Sequence, residues 1–93
     1  MALKTPNAAA DPFALALAAL AATLTDERRA RRFLELTGIE TEELRACAND
    51  PALLIALIVF LEAHEPDLLS VCEELGVKPD ALVKARREIE GAE

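Results

Sequence analysis

The chain has 93 residues, enough for one domain with one core, and its formal charge of −7 sets it against phosphate backbones and anionic lipid surfaces. Hydrophobic residues make up 53%, Trp and Tyr are absent, and the richness in Ala, Leu, Glu and Arg favours helix over strand. Cys47 and Cys72 stand far apart, outside any CxxC or Cys/His spacing, which argues against a zinc site and against a disulfide scaffold.

Residues 1–10 have no helical period and are expected to be a flexible arm. The opening Met-Ala-Leu-Lys-Thr-Pro-Asn contains no apolar h-region, so no signal peptide is read and the expected compartment is the cytoplasm. Asp11 before Pro12 is a helix start, a capping carboxylate followed by a proline whose missing N–H costs nothing there. The first helix is expected from about Pro12 to Leu24. Residues 12–25 carry no charge. Phe13, Leu17, Leu20 and Leu24 form a stripe assigned to the core. Ala14, Ala18, Ala21 and Ala22 then clothe the other sides, either as a tolerated alanine surface or as a close-packing contact with another helix or subunit.

Thr25 is read as the cap of a second helix that ends at Gly38, with Ala30, Phe33, Leu34 and Thr37 on its buried face. Arg28, Arg29, Arg31 and Arg32 fall outside that stripe. They read as a solvated face laced by the i, i+4 pairs Glu27/Arg31 and Arg31/Glu35; the alternative is a contact site for an acidic partner or RNA, with Arg28, Arg29 and Arg32 as its residues. Thr41 is expected to cap a short third helix, Glu42 to Ala48, with Leu44, Cys47 and Ala48 inward.

Asp50-Pro51 repeats the opening signal and launches a fourth helix to about Ala63. From Leu53 to Leu61 it is apolar on every side, so it is expected to be shielded on its whole circumference. The apolar run Ala52 to Leu61 is about half of what a bilayer-spanning helix needs, which excludes a membrane span there. Glu65-Pro66 starts a fifth helix with Leu68, Val71, Cys72 and Leu75 on one face and Gly76 as its stop. Pro79-Asp80 opens a sixth, with Leu82, Ala85 and Ile89 inward and fraying at Gly91. The expected fold is all-α: a compact bundle of five to six short helices around the apolar helix at about 51–63, one domain over 11–90, with 91–93 frayed. At an offset of 38 the halves coincide in grammar, Gly38 with Gly76, Ile39 with Val77, Leu44 with Leu82. This is either a weak internal three-helix repeat or a shared pattern of helix, glycine and cap.

Chemistry is sparse. His64 is the only histidine and reads as a C-terminal residue of the fourth helix beside Glu62 and Glu65. Both thiols fall on buried stripes, where a cysteine is a small inert apolar group. Glu42/Glu43 and Glu73/Glu74 are adjacent in sequence and diverge on a helix. With no phosphate loop and no nucleophile–base pair, neither catalytic, cofactor nor metal residues are assigned, and no enzyme is expected. The segment ELGVKPDALVKARR is loosely like a helix-turn-helix, but residues 78–93 hold four basic and four acidic groups, whereas a groove-reading helix needs a positive footprint.

The stretches RRFLELTGIETEELRACANDPALLIALIVFL and ELGVKPDALVKAR resemble a family of short bacterial proteins known as domain of unknown function 3572. Phe33-Leu34 before Thr37-Gly38, the Glu43-Leu44-Arg45 segment, Asp50-Pro51 and Gly76 followed by Pro79 carry the likeness. These are helix-boundary and core positions, so the resemblance implies the helical fold and brings no activity. The expected role is a non-catalytic helical protein–protein interaction module, a homodimer through the first or fourth helix or a binder of another protein. The alternative is a nucleic-acid-binding regulator using residues 66–90, which the charge disfavours.

Overall fold

A computed structural model describes residues 11–92. The arm expected over 1–10 and Glu93 of the expected frayed end lie outside the described residues. Among the described residues the chain forms six helices and no strand: α1 (Pro12–Leu24), α2 (Glu27–Thr37), α3 (Thr41–Ala46), α4 (Pro51–Glu62), α5 (Glu65–Leu75) and α6 (Pro79–Ala92). The all-α bundle is as expected.

Short-range chemistry sets most of the boundaries. The Asp11 carboxylate accepts from the backbone N–H groups of Phe13 at 2.9 Å and Ala14 at 3.3 Å, and Asp50 accepts from Ala52 at 2.9 Å. Gly38 and Gly76 close α2 and α5 at φ of 73° and 70°, a left-handed conformation that costs glycine little. Five expected ends are corrected. Asp26, not Thr25, caps α2, accepting from the N–H groups of Arg28 and Arg29, because the Thr25 hydroxyl turns back to donate to the Ala22 carbonyl at the end of α1. Glu40 is the residue that precedes α3, with the Glu43 carboxylate accepting from its N–H at 3.4 Å, so this helix starts at Thr41 and stops at Ala46 rather than Ala48. His64 belongs to the start of α5 and not to the end of α4. At the C-terminus α6 continues through Gly91 to Ala92, since a single glycine weakens a helix without ending it.

The core is built from α1, α4 and α6, each packed along the other two. Phe33 of α2 meets Phe60 of α4 edge to face, ring centres 5.3 Å apart, and Leu82, Ala85 and Ile89 of α6 are buried as expected. Two expectations about faces fail. The fourth helix is central but not shielded all round: Leu53, Leu54, Leu57, Ile58, Phe60 and Leu61 are buried, whereas Ala52 and Ala63 are exposed and Val59 is 48% exposed. In a bundle of short helices its neighbours cover only part of its girth. The stripe of α1 is also turned. Phe13, Leu17 and Leu24 lie outside, and the core takes Leu15, Ala16, Ala19, Leu20, Ala22 and Thr23. The inner side of α1, packed along both α4 and α6, is built from alanines beside Leu15 and Leu20, since small side chains suit close helix packing.

The six buried positions of α1, shifted by 38, are the six buried positions of α4. The same shift carries the ends of α2, Glu27 and Thr37, onto Glu65 and Leu75, and Thr41 onto Pro79. The correspondence between the halves seen in the sequence therefore extends to burial as well as to helix ends.

Leu57→Ala is expected to cost about 2–5 kcal/mol by leaving a cavity in the centre, against under about 1 kcal/mol for Val59→Ala on the wetted flank; urea denaturation of both compares them. Gly76→Ala is expected to cost about 1–2 kcal/mol through backbone strain alone, since a Cβ there meets nothing within 4 Å.

Candidate functional site

The structure scatters the residues that the sequence singled out. Arg28 and Arg31 are exposed, but Arg29 is 5% exposed and does not lie on a solvated face. Its Nη2 donates to the Ala22 carbonyl at 2.7 Å and to Glu74 Oε2 at 3.1 Å, joining the C-terminus of α1 to α2 and α5. A guanidinium there satisfies carbonyls left open at the end of α1 and complements its dipole. Arg32 pairs with the largely buried carboxylate of Asp67 on α5. The basic run thus divides, two arginines holding helices together and two facing outward. Position alone marks Arg29 as outside the apolar stripe; its partners lie 7 and 45 residues away, beyond reach of a periodicity.

His64 Nδ1 lies 3.5 Å from Asp67 Oδ2. Cys72 is buried, which pushes its thiol up in pKa and keeps it protonated and inert. Cys47 is half-buried on a groove of about 390 Å³ between the end of α2, α3 and the start of α4, with Ile39, Leu53 and Ala56 on its walls. Among the described residues no group of three or more His, Cys, Asp or Glu is placed to hold a metal ion, and no helix is long and apolar enough to cross a membrane. In the helix-turn-helix-like segment, Arg86 of α6 is drawn toward α4 by the Glu62 carboxylate at 2.6 Å and also pairs with exposed Glu90 on its own helix at 3.0 Å; these hydrogen bonds raise its pKa. Lys84 and Arg87 stay exposed beside Asp80 and Glu88, which leaves no net positive face on that helix.

The feature with the clearest form is the outer side of α1. Phe13 is 38% exposed, Leu17 40% and Leu24 36%, and with exposed Ala21 they run along one side of a helix without a charged side chain. Among the described residues the other large exposed apolar side chains, Leu36, Val59 and Leu69, stand singly on three different helices. Of the alanines expected as contacts, Ala21 belongs to this outer side, while Ala14 and Ala18 are half-buried at its edge. A signal for the true orientation was present. Glu62 is the only charged residue of α4, and its counterpart at the 38-residue shift is Leu24, so the side of α1 carrying Leu24 corresponds to the polar edge of α4.

A family model described as protein of unknown function (DUF3572) matches residues 9–92. The chain belongs to this family. No curated protein and no solved structure matches it. The DUF3572 match spans all six helices, with both Asp-Pro starts and both glycine stops inside it. DUF3572 carries no assigned activity to set beside the α1 surface.

The backbone N–H of Arg29, and then that of Arg28, hold the Asp26 carboxyl below its ordinary 3.8. A folded value below the unfolded one means that this cap contributes fully above the ordinary value and is lost as pH falls through the lowered one. The urea midpoint of the wild type is therefore expected to fall more between about pH 6 and about pH 3 than that of Asp26→Asn, which keeps a capping oxygen without the charge.

Proposed function

We propose that this protein is a small, non-catalytic helical interaction module that docks a protein partner through the outer side of α1. The observation that carries the reading is the alignment of Phe13, Leu17 and Leu24, each more than a third exposed, on a helix with no charge from Pro12 to Thr25. Isolated exposed leucines are ordinary on any surface; three large apolar groups in register on one charge-free helix are the usual form of a helix-docking face. The same face is well suited to a chain of net charge −7, because a contact without charge brings no like-charge repulsion.

Leu17→Glu places a charge in the middle of this strip without touching the core. It is expected to leave the urea midpoint close to wild type and to abolish capture of those proteins that the wild-type chain retains from its native lysate. Leu69→Glu, at an exposed leucine on α5, is the matched control and is expected to retain them. Equal behaviour of the two variants would remove the reading.

A further inference from the structure

The repeat supplies a template for what lies on α1. On α4 the positions equivalent to Phe13, Leu17 and Leu24 are Pro51, Ile55 and Glu62, and these are half-buried rather than exposed. At the far end of that side stands α6, whose Arg86 grips Glu62 through Nε at 2.6 Å and Nη2 at 3.3 Å. The counterpart of α6 in the first half is α3. Both begin at equivalent positions, Thr41 and Pro79, and both bury the equivalent leucine, Leu44 and Leu82. They part after that. α3 ends at Ala46 and could not pass Asp50, which Pro51 holds out of helical conformation and which caps α4. Position 89, the counterpart of Pro51, is Ile89, and α6 runs on to Ala92. The second half of α6, which buries Ala85 and Ile89 in the core and reaches Glu62 of α4 through Arg86, has no equivalent in the first half.

Resting on the reading of α1 as a docking face, we infer that Phe13, Leu17 and Leu24 form the seat of an amphipathic helix supplied by a partner protein, lying on α1 as the second half of α6 lies on α4. The occupant presents apolar residues at the spacing of Leu82, Ala85 and Ile89. Where α6 carries Arg86 for Glu62, the occupant carries an apolar residue, because the counterpart of Glu62 is Leu24. A second globular copy is the poorer occupant. A strip of one 13-residue helix measures roughly 20 Å by 10 Å, about 200 Å², against roughly 800 Å² per partner in a stable dimer. A single partner helix fits the strip end to end.

The probe is a synthetic peptide copying residues 79–92 with Arg86→Leu, titrated into the intact, isotope-labelled chain while amide resonances are followed. Expected are shifts centred on Phe13, Leu17 and Leu24, an affinity several-fold above that of the unsubstituted peptide, and at least tenfold weaker binding to Leu17→Glu. Absence of shifts at millimolar peptide would overturn the inference. So would shifts centred on Ile55 and Glu62, or binding indifferent to Leu17→Glu, because the peptide would then be displacing α6. If α1 docks something other than a helix, the lysate difference between Leu17→Glu and Leu69→Glu persists while the peptide fails; if α1 docks nothing, both fail.

Discussion

The close crossing of α1 with α4 is the contact on which the rest of this bundle depends. Burying a leucine or isoleucine contributes roughly 1.5–3 kcal/mol, and α4 places Leu53, Leu54, Leu57, Ile58 and Leu61 in that crossing or beside it. Such a face needs a partner that packs against it, and α1 meets it with Ala16, Ala19 and Ala22 together with Leu15 and Leu20. With those two helices in contact, α6 covers both, and α2 and α5 are drawn in by Phe33 and Val71. The polar links follow the same geometry: Arg29 can reach Ala22 and Glu74 only because α1 and α5 have already been brought beside α2.

How far the fold could be read in advance depended on how local the deciding physics was. Helix starts at Asp11, Asp50 and Pro79, and stops at Gly38 and Gly76, rest on a few neighbouring residues, and the sequence places them correctly. The buried faces of α5 and α6 were legible because charged residues bound them on either side, so Leu68, Val71, Leu82 and Ile89 leave one reading. In α1 no charge marks an outside, and a bulky stripe competes with an alanine stripe on equal terms. Size was the wrong criterion there, because the inner side of a tight crossing selects small residues. The alanines expected as contacts are not what α1 exposes most: its large exposed side chains are Phe13, Leu17 and Leu24, with Ala14 and Ala18 half-buried at the edge.

The two halves share more than a list of helix ends. Arg29 and Asp67, the two buried charged residues among the described residues, stand 38 apart, as do Phe33 and Val71, both fully buried. The two charges have opposite sign and serve different ties, Arg29 to the end of α1 and to Glu74, Asp67 to Arg32. A common scaffold has thus been given different polar fastenings. The main departure from equivalence is the length of the third helix in each half, short where Pro51 follows and long where Ile89 stands in the equivalent place.

That short helix has a dynamic consequence. α3 packs extensively against none of the other helices and buries one leucine, so opening it exposes little apolar surface and breaks few contacts. Its amides should therefore exchange with solvent deuterium by local opening, at a rate set by α3 itself, while those of α4 wait for global unfolding. A protease would find its first cut between Ile39 and Asn49, and the bundle would persist for a time as two nicked pieces held by the α1 crossing.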